Sequence, residues 1–222
     1  DKQPQDIESC CFFVSLHPMK NIKNLLIDMG GVLIDLDRPR CIASFENIGI
    51  SDIRSLITTT YLQEGLFMKI EEGSITPDQF RDGIRKLSNQ PLSDQQIDDA
   101  WISMLDHMPP ARLELLLELR KKYNVMLLSN TNAIHWDWIC RNRFSWNGHT
   151  PSDYFHTCYL SYQLGMLKPY PDIFNHVVKD AGILPAETLL IDDAVPNCET
   201  AASLGFKTYT PKEFEDWSHL FS

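Results

Sequence analysis

Short apolar runs bounded by polar residues recur along the chain, at positions 24–27, 125–128, 188–191 and 206–209. Each is too short for a helix and reads as a strand buried on both faces. Between these runs the spacing turns helical. Over 110–123, Leu113, Leu116, Leu117 and Leu119 gather on one broad apolar stripe. Glu118 and Lys122 make an i,i+4 pair there, and Arg120-Lys121-Lys122 suits the negative end of a helix dipole. Positions 171–181 form a second helix, stopped at Gly182, and 196–204 a third, stopped at Gly205. Strands alternating with helices predict an α/β fold built on a doubly wound parallel sheet.

From about Arg40 to Met108 the alternation stops, and only helical segments are read, at 41–48, 52–61, 77–87 and 94–105. Thr76 and Ser93 are good helix starts, each followed three residues later by a glutamine. Pro109-Pro110 marks the return to the sheet. The expected layout is a core of residues 20–39 and 109–222, with an all-helical unit, 40–108, inserted after the first strand. Residues 1–18 show no periodicity, and Met19-Lys20 makes a natural start, so the segment before it reads as an extension or leader.

Composition narrows the partners. A chain of 222 residues with 43% hydrophobic and 23% charged residues is ordinary for a soluble globular protein. Its net charge of -10 argues against nucleic-acid or anionic-membrane partners, which need an excess of local cations. The same field repels a phosphorylated substrate, so attraction must come from local groups such as Lys168 and a bound cation. Six cysteines without CxxC spacing suit reduced thiols in a cytoplasmic protein. The apolar patch from Cys10 to Leu16 is too short to span a membrane and lacks the basic start of a signal peptide.

Candidate chemistry sits just past the strands. Asp28-Met29-Gly30-Gly31 follows the first, Ser129-Asn130-Thr131-Asn132 the second, and Asp192-Asp193 closes the third. Ligands of doubly wound sheets bind at these carboxyl ends. Singly, each piece has a plain structural role: an aspartate there commonly caps a turn, a serine caps a helix, paired acids form a solvated turn, and the lysine of Lys168-Pro169 faces water. Together they make a site. Three converging carboxylates repel unless a cation lies among them, and hard oxygen ligands select Mg²⁺. The glycines permit a tight turn and a close backbone approach to an anion.

These pieces together resemble the haloacid dehalogenase superfamily of aspartate-nucleophile hydrolases, over residues 22 to about 210. More narrowly, Leu127-Leu128-Ser129-Asn130-Thr131-Asn132, Tyr159-Leu160-Ser161 and Leu164-Gly165-Met166-Leu167-Lys168-Pro169 are similar to members that act on sugar 1-phosphates such as glucose 1-phosphate. The resemblance implies a Rossmann-type core with a helical cap. It implies Asp28 as a nucleophile that forms an aspartyl-phosphate, with Ser129, Asn130 and Lys168 holding the phosphoryl group. Mg²⁺ would be held by Asp28, the Gly30 carbonyl and Asp193, with Asp192 close and Asn197 behind.

One departure stands out. Most phosphatases of this superfamily carry a second aspartate two residues after the nucleophile, as general acid, where this chain has Gly30. The sugar 1-phosphate enzymes also carry glycine there. Asp35 or Asp37 are candidate substitutes, or else surface acids. Glu71 and Lys69 lie in a stretch similar to a substrate-facing loop, or in a turn between cap helices. Trp136 and Trp138 read as packing residues, and His135 as structural or substrate-facing.

The expected function is a Mg²⁺-dependent phosphatase for a small phosphorylated metabolite, acting as monomer or homodimer. The alternatives are a metal-free 2-haloacid dehalogenase and a degenerate binding protein.

Overall fold

A computed structural model of the chain describes residues 21–58, 65–88 and 90–221. The N-terminal segment read as a leader, with Cys10 and Cys11, lies outside them. Five strands, β1 (Asn24–Ile27), β2 (Asn124–Ser129), β3 (Thr157–Leu160), β4 (Thr188–Ile191) and β5 (Lys207–Tyr209), form one sheet in the order β3-β2-β1-β4-β5. Every pairing is parallel.

The central strands follow from their sequence. Leu25, Leu26 and Ile27 alternate between the two faces and are fully buried, and each such side chain contributes about 1.5–3 kcal/mol. Asn24 sits in register with Asn124 and Thr188. Its amide donates to Thr188 Oγ1 and its carbonyl accepts from Asn124, so one polar row aligns three strands.

Helices α1 (Arg38–Asn47), α2 (Ile53–Thr58), α3 (Leu66–Glu72), α4 (Pro77–Leu87) and α5 (Asp94–Ile102) follow β1, with no strand among the described residues between them. Thr76 and Ser93 both close capping boxes with the glutamines at 79 and 96. The five helices share an aromatic core of Phe45, Phe67, Phe80 and Trp101, joined from the sheet side by Ile134. The two chain passages to this unit are paired: Asp35 N–H donates to His107 O, Asp106 N–H to Asp35 O, and Asp37 N–H to Met104 O. The first passage ends earlier than expected, because α1 begins at Arg38 under the Asp37 cap.

Returning to the sheet are α6 (Pro110–Leu119), α7 (Ala133–Asn142), α8 (Pro151–Tyr154), α9 (Ser161–Leu164), α10 (Pro171–Ala181) and α11 (Val195–Ser203). The α6 helix stops short of the basic run, and Glu118 pairs with Lys121 rather than Lys122. No helix among the described residues is long and apolar enough to cross a membrane.

Candidate active site

The sheet brings the distant motifs to one edge. Register pairs Ile27 with both Leu127 and Ile191, so the residues that follow, Asp28, the Ser129 loop and Asp192, emerge side by side. Carboxylate oxygens of Asp28, Asp192 and Asp193 lie within 4.8 Å of one another. Lys168 enters from the loop before α10. Its ammonium is 2.9 Å from Asp28 Oδ1 and 2.6 Å from Asp192 Oδ2, and it donates to Leu128 O as well.

This lysine is 4% exposed, and burial alone would lower its pKa. The Asp192 and Asp28 carboxylates outweigh that and hold it charged, above its ordinary value. Burial also pushes the Asp28 carboxyl well up, opposed by Lys168 and reinforced by Asp192 and Asp193. Asp193 is raised by burial and by Asp192.

The two adjacent acids do different things. Asp192 is consumed by the protein: Oδ1 accepts from Ala194 N–H and the Asn197 amide, and Oδ2 from Lys168 and the same amide. No salt bridge among the described residues reaches Asp193, whose carboxylate backs onto Gly31. A Cβ on Gly31 would lie 2.2 Å from Asp193 Oδ2, and Gly31 has φ +73°. A buried oxygen without a hydrogen-bond partner, Asn197 Oδ1, lies beside them. Three hard carboxylates against one ammonium leave an excess of negative charge, and the residues present fit a divalent cation at Asp28 and Asp193.

Asn130 reads differently in space. Its amide donates to Lys168 O and its carbonyl accepts from Lys168 N–H, a reciprocal clamp that sets the lysine, and Asn130 itself lines the cavity. Ser129 is buried at the end of β2 and lines the cavity. The helix cap expected of it belongs to Asn132, which accepts from Ile134 N–H and His135 N–H.

A cavity of about 170 Å³ connects these groups to the helical unit, with Glu71, Trp101, Met68 and Ile57 on its far wall. His135 is buried, stacks on Trp101 and is fixed through Nε2 to Trp101 O at 3.1 Å. Burial lowers its pKa to about 4, so it is a neutral strut between α7 and α5. Asp35 and Asp37 do not enter the cavity wall. Asp35 is paired with Arg112 at 2.8 Å, and Asp37 caps α1. The position they were to replace is closely packed: a Cβ on Gly30 would meet Leu36 Cδ1 at 3.0 Å. Lys69, the other candidate of the substrate-facing stretch, is not in the cavity lining.

Sequence reading missed several wall residues, among them the polar Arg38, Thr131 and Tyr170. Arg38, the first residue of α1, lines the cavity and was signalled only by its place after a capping aspartate. Thr131 has a buried hydroxyl without a partner.

A parallel sheet carrying an aspartate, a lysine and an acidic pair at its carboxyl edge is the arrangement expected of a hydrolase of the aspartate-nucleophile class. The haloacid dehalogenase-like hydrolase family matches residues 22–205, and the chain belongs to it. It is 38% identical, over 88% of this chain and 95% of the relative, to a D-ribitol-5-phosphate phosphatase from Bacteroides thetaiotaomicron. A HAD family enzyme of the same organism, crystallised with magnesium and inorganic phosphate, is 54% identical with a TM-score of 0.87, covering 90% of this chain and all of that one. A predicted HAD-like hydrolase from Porphyromonas gingivalis is 37% identical with a TM-score of 0.83, covering 89% and 94%.

Proposed function

We propose that this chain is a Mg²⁺-dependent phosphatase acting on a small polyol or sugar phosphate through an aspartyl-phosphate at Asp28. The observation that carries the reading is Lys168 bridging Asp28 and Asp192 while no salt bridge among the described residues reaches Asp193. The arrangement assigns separate tasks. Lys168, fixed by Asp192 and by the Asn130 clamp, neutralises Asp28 and presents positive charge to a phosphoryl oxygen. Ser129 adds a hydroxyl at the same loop. Asp28 Oδ is the attacking atom, and Asp193 with the Gly30 carbonyl completes the oxygen set for the metal. Mg²⁺ held by these residues would supply positive charge against the phosphoryl oxygens.

The curated relative acts on D-ribitol-5-phosphate, whose leaving group is a primary alcohol. That favours an open-chain or small sugar phosphate over the 1-phosphates suggested by sequence. The helical unit, 40–108, is the cap that covers the substrate. Four free cysteines among the described residues support a cytoplasmic setting. We read the enzyme as a monomer or homodimer with neither nucleic acid nor membrane as partner.

The test is phosphate release from a panel of phosphorylated polyols and sugars, with Mg²⁺ and with EDTA, for wild type and Asp28→Asn. Release that needs Mg²⁺ and disappears in the variant is expected. Release that persists in either control, or none from any ester, overturns the reading.

A further inference from the structure

Resting on the phosphatase reading, we infer that Glu71 is the proton donor to the leaving-group oxygen, taking the place left open at Gly30. The need comes from chemistry. A primary alkoxide is a poor leaving group, and general acid help is worth about 10²–10⁴ in rate. The usual position cannot supply it, because Gly30 has no side chain.

Elimination leaves one carboxyl. Of the acids and bases lining the cavity among the described residues, Asp28 and Asp193 belong to the metal cluster, Lys168 is held by two carboxylates, Arg38 is a guanidinium, and the Tyr170 side chain is half exposed to solvent. His135 is neutral and its Nε2 is committed to Trp101 O. Asp35 and Asp37 are engaged elsewhere. Glu71 remains, on the cap side of the cavity that Asp28 lines from the sheet side.

Its placement is built in. Thr131 N–H donates to Ser161 Oγ at 2.9 Å, and Ser161 Oγ donates to Glu71 O at 2.6 Å. Two hydrogen bonds thus tie the end of α3 to the loop that carries Ser129. Gly73, φ +79°, lets α3 close on α9: a Cβ there would meet Tyr162 O at 2.0 Å. The charges that act on the Glu71 carboxyl are Arg38 and Lys168, and burial outweighs both to bring its pKa to about 7. A carboxyl in that range can hold a proton at neutral pH and give it up.

The step balances. As Asp28 Oδ bonds to phosphorus and the ester P–O bond breaks, the Glu71 proton passes to the departing oxygen, releasing the neutral alcohol. In the second half, Glu71 carboxylate takes a proton from the water that attacks phosphorus, the Asp28–phosphorus bond breaks, and both carboxyls return to their starting states.

The experiment compares wild type and Glu71→Gln, both with Mg²⁺, on D-ribitol 5-phosphate and on 4-nitrophenyl phosphate, whose leaving group departs unaided. The expected loss in kcat is about 10²–10³-fold on the alkyl ester, exceeding that on the aryl ester by at least about 30-fold. With wild type alone, the alkyl ester should show a basic limb in kcat near neutral pH that the aryl ester lacks. Equal losses on both esters, a change confined to KM, or matching pH limbs would overturn the inference and mark Glu71 as a substrate hydroxyl contact. If wild type releases phosphate from neither ester, the phosphatase reading fails first.

Discussion

Gly31 stands against Asp193 with no room between them, an added Cβ falling 2.2 Å from the carboxylate oxygen. The acid with no salt bridge is thus aimed by a glycine in the next loop. Gly31→Ala must push Asp193 aside while leaving the strands untouched. The expected result is a Mg²⁺ requirement raised by about 10–100-fold, the range for lost support of a metal ligand, with a native circular dichroism spectrum. An unchanged Mg²⁺ titration would remove Asp193 from the metal set.

Lys168 pairs with two buried carboxylates. Lys168→Met leaves Asp28 and Asp192 facing each other. Removing one partner of a buried ion pair costs about 3–5 kcal/mol, and urea melts at pH 7 should show a loss of that order. The melts should recover in part at acid pH, where the carboxylates protonate. Turnover should fall by at least about 10²-fold, as for loss of one donor to developing charge.

Much of this was legible beforehand, for physical reasons. The strands β1, β2 and β4 are buried on both faces and therefore read as apolar runs. The edge strand β3 is exposed at Thr157 and half-buried at Cys158, so it carried no such run. The other edge strand, β5, expected to be buried on both faces, is exposed at Lys207 and half-buried at Thr208 and Tyr209 because it has a neighbour on one side only. Helix α3 was read as loop because it starts at Gly65 without a side-chain cap. Asp28, Lys168 and the acidic pair were visible as motifs. The Asn130 clamp, the Ser161–Glu71 tie and the pairing of Asp192 with Lys168 depend on contacts across 38, 90 and 24 positions, which no local pattern encodes.

Stability should report the metal. The folded-state pKa values of Asp28 and Asp193 are raised, so their contribution is fully present below the ordinary carboxylate value near 4 and is lost as pH rises through the raised values. Glu71 acts with the same sign, up to about 7. His135 acts oppositely, its contribution falling away as pH drops toward about 4. Mg²⁺ relieves only the first pair. The rise in Tm on adding Mg²⁺ to EDTA-treated protein should therefore be larger at pH 8 than at pH 5. An equal rise at both would show that the ion binds elsewhere.

Ser161 holds the cap end of α3 to the sheet loop through one hydroxyl. Ser161→Ala removes both bonds, each worth about 0.5–1.5 kcal/mol. Amide exchange should quicken in α3 more than in β1 or β4. Uniform exchange across α3 and the strands would mean that the cap and sheet open as one.

The central claim is a double displacement at phosphorus through Asp28. It is tested most directly by the stereochemical course of hydrolysis, using a phosphate ester made chiral at phosphorus with oxygen isotopes. Two successive in-line attacks, first by Asp28 and then by water, give overall retention, the expected result. Inversion would mean that water attacks the substrate directly, and Asp28 would lose its role as nucleophile.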